Sequence, residues 1–285
     1  MTFCRIDDID PANPTTRDIL QFLHTLKDQG LSCQTIKGYR SAINHLLPNN
    51  LVKDDPLISR FMKGLFRSNP PLIPYSRVWD VASVLHHIRD LGSNEEMAFL
   101  TLSKKIATLL MILSQKRRES IDSFDVRYMD ISRNYVTFIP SHLLKHDRQG
   151  YRTHMVRFRA YPECVLLCPV QTIKDYMKRR EEFSNTGTKF FVTSRPPHNP
   201  AHKDTIGRWV KDMLKDAGID TDLFKVHSVR AAASSKALVC GAPLSDVLKA
   251  GDWSGARTFF SFYRKDIVSD VEDLPPDLLR RIGGL

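Results

Sequence analysis

Between Met97 and Ser114 the chain is nearly all apolar, and this stretch limits the fold more than any other. A helix that is hydrophobic on every side must be surrounded by protein or by lipid. Its longest apolar part, Ile106 to Leu113, lies between Lys104-Lys105 and Lys116-Arg117, far short of the ~20 residues that cross a bilayer. The stretch is therefore expected to be the central helix of a protein core, with no membrane partner. A chain of 285 residues can bury such a core and still form two domains. Cys4, Cys33, Cys164, Cys168 and Cys240 are irregularly spaced and make no disulfide framework, and no secretory segment opens the chain. An intracellular, reducing location is expected.

Residues 1–14 lack apolar periodicity and read as an arm. Ile19, Phe22, Leu23 and Leu26 then keep helical spacing from Thr16 until Gly30, and a second helix starts near Ser32 with Ile36, Tyr39, Ile43 and Leu46-Leu47 on one face. A third contains Leu57, Ile58, Phe61, Met62, Leu65 and Phe66. Ser68-Asn69-Pro70-Pro71 and Pro74 end this periodicity and mark a linker near 67–77. Beyond it a short amphipathic helix holds Trp79, Val84, Leu85 and Ile88, ahead of the central apolar one. Tyr135 to Ile139 and Met155 to Phe158 are rich in β-branched and aromatic residues and read as a hairpin, with a basic turn at 143–150. Helices are expected again at about 165–182, 204–217, 228–239, 243–250 and 255–264. The fold class is mainly α with a small antiparallel β-sheet, in two domains at 1–72 and 73–285.

The formal charge of +10 favours a polyanionic partner, nucleic acid before a membrane surface. Most of the surplus lies after the linker, and so do the residues that suit phosphodiester chemistry. Breaking that bond without a metal needs cations on the nonbridging oxygens, a nucleophile, and an acid for the departing 5′ oxygen. His227 and Arg230, three apart at the start of an alanine-rich helix, share one face near the positive helix end. Arg117 directly follows the central helix, where a planar guanidinium is held rigidly and suits two phosphate oxygens. Lys145, at the hairpin tip, has the reach and the chemistry of a general acid. Tyr263 lies in an aromatic segment flanked by Arg264 and Lys265, cations that assist ionisation of a phenol. Each also has an ordinary reading: Arg117 paired with Glu119, Lys145 solvated, Tyr263 and Trp253 in a core.

All six in this order resemble the tyrosine recombinases of the phage-integrase family, whose catalytic set runs Arg, Lys, His-x-x-Arg, His or Trp, Tyr. The likeness extends over nearly the whole chain and is nearest to the eukaryotic mobile-element branch, the crypton and retroelement recombinases. It rests on Leu113 to Asp125, Leu144-Lys145, Leu167-Cys168-Pro169-Val170, His227-Ser228-Val229-Arg230-Ala231-Ala232, Ala250-Gly251-Asp252-Trp253-Ser254, and Phe262-Tyr263. The resemblance implies a helical core-binding, SAM-like domain that clamps DNA, followed by an α+β catalytic domain with the nucleophile helix and a tail. It implies a site-specific DNA recombinase or integrase acting on double-stranded DNA as a tetramer on two sites, without cofactor, metal, ATP or small-molecule substrate, and in the nucleus if the host is eukaryotic. Arg117 and Arg230 would hold the scissile phosphate, Lys145 would protonate the leaving oxygen, and His227 would assist proton transfer. Trp253 would pack or hydrogen-bond at the phosphate, and Tyr263 would form the 3′-phosphotyrosyl link.

Many members have an acid three positions after the first arginine, where this chain has Ser120. The interval from Trp253 to Tyr263 fits the eukaryotic branch. Alternative functions are a domesticated DNA-binding protein without recombination and a type IB topoisomerase; the latter family has a lysine where His227 stands. Cys164 and Cys168 are expected to pack rather than bind metal, and His198 and His202 to be solvated. Lys178-Arg179-Arg180 is expected to contact DNA. Leu278, Leu279, Ile282 and Leu285 are expected on a helix that docks into a neighbouring protomer.

Overall fold

A computed structural model describes residues 4, 9–47, 51–70, 77–144, 147, 149, 155–183 and 186–267. The chain divides into two compact units, Met1–Pro74 and Tyr75–Leu285. The first contains helices α1 (Thr16–Asp28), α2 (Cys33–Leu46), α3 (Leu51–Asp54) and α4 (Pro56–Ser68). Ile19, Leu23, Leu26, Ile36, Val52, Ile58, Met62 and Leu65 form its core. Thr15 caps α1 reciprocally with Asp18, which satisfies amide groups that the helix itself leaves unpaired. Asp55 caps α4 ahead of Pro56 and also accepts a hydrogen bond from Thr16 Oγ1 at 2.6 Å, so the starts of α1 and α4 are joined. Gly30 ends the first helix with φ +78°, a conformation that favours glycine.

The second unit is built around α6 (Phe99–Ser114). Before it come β1 (Arg77–Val78) and α5 (Val81–Asp90), and after it α7 (Arg118–Asp122), β2 (Met129–Ile131), β3 (Tyr135–Phe138) and β4 (Val156–Arg159). Then follow α8 (Pro169–Arg180), α9 (Lys203–Asp216), α10 (Ser228–Val239), α11 (Leu244–Ala250), α12 (Ala256–Phe262) and β5 (Asp266–Ile267). Helix α6 packs against α7, α8, α9, α10 and β4, and most of its side chains are buried, as its composition requires. Strands β2, β3 and β4 form one antiparallel sheet in that order, whose inner face supplies Val136, Phe138, Val156 and Phe158. Phe138 stacks on Phe124 at 4.1 Å and meets Phe158 and Phe190 edge-on.

The mainly helical class with a small antiparallel sheet stands. Four features escape sequence periodicity because they are too short to show any: α3, α7, β2, and the parallel pairing of β1 with β5. Helix α8 starts at Pro169 rather than near 165, after a 3-10 turn at Val165–Leu167. Cys168 is its N-cap: the buried sulfur accepts from the amides of Tyr161 and Gln171 at 3.3 and 3.5 Å. Lys105, at the edge of the apolar run, lies wholly inside the protein, and burial pushes its pKa down to about 8. Replacing Phe138 by Ala should destabilise the second unit by about 3–5 kcal/mol, measured as a lower urea midpoint for its unfolding.

Candidate active site

Helix α6 stops at Gln115, whose left-handed conformation (φ 53°) turns the chain sharply. Lys116 and Arg117 follow at once, and Arg117 is the N-cap of α7. Two residues of a rigid, buried helix end thus fix where these cations emerge. Ser114 ties the turn down by donating to Leu110 O at 2.6 Å and accepting from the Lys116 amide at 3.3 Å.

Opposite this turn lies the start of α10. Trp79, buried beside β1, donates its indole N–H to Ser228 Oγ at 2.9 Å and so anchors the first residue of that helix. Arg230 comes half a turn later and is almost wholly buried. Its Nη2 donates to the Gly251 carbonyl at 2.5 Å, while its guanidinium lies 4.1 Å from the Trp253 ring centre and 5.0 Å from that of Tyr263. Burial lowers the Arg230 pKa, Arg117 adds to this, and Tyr263 and Asp252 oppose it; a guanidinium remains charged at neutral pH regardless. His227 immediately precedes α10 at the exposed rim, and partial desolvation lowers its pKa from the usual 6.5.

The third segment joins α11 to α12. Gly251 has to be glycine for space: a Cβ there would lie 2.0 Å from the Trp253 ring. Asp252, left-handed at φ 54°, pairs with Lys116 at 2.5 Å, and both side chains are 7% exposed. Burial lowers the Lys116 pKa, and Arg230 and Arg117 reinforce this against the opposing Asp252. Trp253 packs edge-on against Phe259 and Tyr263, with ring centres 4.9 and 5.1 Å away. Tyr263 ends α12, and its carbonyl accepts from Ser235 Oγ on α10 at 3.1 Å. The same hydroxyl accepts from the Lys265 amide at 3.0 Å.

Together these segments enclose a cleft of about 480 Å³ lined by Arg117, His227, Arg230 and Tyr263, with Lys116, Arg118, Lys211 and Lys225 around them and Glu119 as the lining carboxylate. The buried Arg230 Nε and Trp253 Nε1 have no acceptor among the described residues. A guanidinium donor of that kind lining a basic cleft suits an oxyanion.

The whole chain superposes on solved recombinases and integrases. The Tn1549 transposon integrase in complex with transposon right end DNA shares 13% identity over 99% of this chain and 91% of that one, with a TM-score of 0.59. The XerH site-specific recombinase in its post-cleavage complex gives 12% identity, 93% and 70% coverage, and a TM-score of 0.58. The fold is that of the tyrosine recombinases. A lambda integrase tetramer bound to a Holliday junction also matches this fold, at 13% identity over 92% of this chain and 68% of that one, TM-score 0.51. No protein-family model and no curated protein matches the sequence.

Within this recombinase fold, four of the six residues singled out from the sequence line one cleft, and Trp253 lies beneath it, against Arg230 and Tyr263. Lys145 lies outside the described residues, as does the tail from 268. Two other sequence expectations need correction. Arg180 is buried and donates to Gly187 O and Lys189 O, and Arg179 donates to Met97 O and sits over Phe99, so this pair serves the core rather than DNA. His198 is not simply solvated but stacks on Phe183 at 3.8 Å, whereas His202 is exposed as expected and also caps α9. Sequence reasoning overlooked Lys116, Asp252 and Trp79; the first two stand next to residues it had singled out, but their pairing is a long-range contact without a local signal. Gly251→Ala should displace the Trp253 ring and destabilise the second unit by about 1–3 kcal/mol, seen as a lower thermal midpoint.

Proposed function

We propose that this chain is a site-specific DNA recombinase or integrase that cleaves and rejoins duplex DNA through a 3′-phosphotyrosyl intermediate. The observation behind this reading is that Tyr263 shares one basic cleft with Arg117, Arg230 and His227. Arg117 and Arg230 hold the nonbridging oxygens of the scissile phosphate and offset the charge that builds up there. Tyr263 Oη attacks phosphorus, passing its proton to His227, and the bond to the 5′ oxygen breaks. Lys145 donates the proton that the departing oxygen takes up. The tyrosyl ester keeps the bond energy, so a 5′ hydroxyl of another strand can reverse the step without ATP. Trp253 supports Arg230 from below.

The first unit fits the clamp role. Lys37, Arg40, Lys63 and Arg67 line one face of α2 and α4, a basic surface suited to a phosphate backbone. Assembly on two sites as a tetramer is part of the proposal, supported by the likeness to the lambda integrase tetramer on a Holliday junction. The motifs at Leu167 to Val170 and from Trp253 to Tyr263 support a eukaryotic mobile-element origin and, with it, a nuclear setting.

The decisive experiment selects bound duplexes from a random DNA pool and incubates the protein with a nicked duplex of the selected sequence. A covalent protein–DNA adduct is expected on a denaturing gel, and Tyr263→Phe should give none. An adduct that survives this substitution overturns the assignment of Tyr263; binding with no adduct on any selected site would favour a DNA-binding protein without recombination.

The pH dependence follows from His227. Its pKa is lowered, so the ring is neutral and able to accept a proton near pH 7. Acidification through its pKa, below the usual 6.5, charges the ring and should slow adduct formation. Rates measured between about pH 5 and 8 should show that acidic limb, and His227→Gln should flatten it.

A further inference from the structure

We propose that the buried Lys116–Asp252 ion pair is a strut that sets the spacing of Arg117 and Arg230 in the cleft, making Lys116 and Asp252 positioning residues. The inference rests on the recombinase reading for what the spacing is for, but the strut itself is independent of it. Lys116 is chemically bonded to Arg117 in the turn between α6 and α7. Asp252 lies between Gly251, whose carbonyl holds Arg230 Nη2 at 2.5 Å, and Trp253, whose ring supports the same guanidinium at 4.1 Å. The head of Arg230 therefore goes where the Gly251–Trp253 turn goes. Among the described residues, the ion pair is the charged link from that turn to the segment that presents Arg117.

A purely electrostatic role does not account for the pair. If attraction of phosphate were the need, an unpaired lysine would serve better, because Asp252 cancels the charge that Lys116 adds. Nor is stability a sufficient reason, since buried ion pairs can often be replaced by apolar groups without loss. What the pair supplies is direction: a short contact between two side chains that are each 7% exposed, closed by residues at both ends in left-handed conformations, Gln115 and Asp252. Ser120 in α7 is neutral and Glu119 is exposed, whereas the Asp252 carboxylate, in a side chain only 7% exposed, pairs directly with Lys116.

The test uses the full chain with Lys116→Met, Asp252→Asn, and the double variant Lys116→Met/Asp252→Leu, which leaves no unpaired buried charge if either single variant fails to fold. The first readout needs no DNA. The Arg230 Nε–H resonance, assigned by its loss in Arg230→Lys, is shifted by the ring current of Trp253 and should move in the folded double variant toward its position in Trp253→Leu. The second is the adduct rate at saturating DNA, which should fall about 100-fold for an ångström-scale displacement while DNA affinity stays nearly constant. An Arg230 resonance that does not move, or an unchanged adduct rate, overturns the strut. If the wild-type chain forms no adduct on any selected site, the recombinase reading fails, and the resonance alone decides the strut.

Discussion

The burial of α6 is the constraint on which the second unit depends. A helix without a polar face is stable in water when neighbours cover most of it, and α7, α8, α9, α10 and β4 do so, leaving Leu100 and Leu113 exposed. The covering elements are placed by that requirement, and the reactive residues are placed by the covering elements. Arg117 emerges where the apolar run stops, and Arg230 comes from α10, which packs on the same helix. Positioning through a core is stiffer than positioning through a loop, because shifting either arginine means disturbing close-packed side chains.

Much of this was legible in the sequence because the relevant signals are local. Helical spacing at Ile19, Leu23 and Leu26, and alternation at Val136, Phe138, Val156 and Phe158, follow from which face is buried. Four of the six candidate site residues meet in one cleft, and they were found through order along the chain rather than through distance. What escaped depends on contacts between distant segments. Trp79 donates to Ser228 across a sequence separation of 149, and nothing near either residue announces it. Arg179 and Arg180 show the converse error, because a run of cations looks like a binding patch until backbone carbonyls are found at their guanidinium groups.

The cleft concentrates positive charge that its own burial opposes. Desolvation and neighbouring arginines lower the pKa of Lys116 and Arg230, so these cations are held against burial and mutual repulsion by packing, by the Gly251 carbonyl and by Asp252. An anion placed in this cleft would relieve that repulsion. Preorganisation of this kind is the usual source of large rate effects in phosphoryl chemistry.

Helix α10 has one further property. Arg230, near its start, donates to the Gly251 carbonyl in the cleft, and Ser235, five residues on, holds the backbone of Tyr263 and Lys265 through a single hydroxyl. The rise of an α-helix makes that interval about 7.5 Å along the axis, and the interval cannot stretch without breaking backbone hydrogen bonds. The helix thus acts as a ruler between the Arg230 guanidinium and the backbone of Tyr263. Thermal movement of α10 carries both ends in the same direction, so the separation of Arg230 from Tyr263 is insulated from motions that would blur it if each were held by a different element.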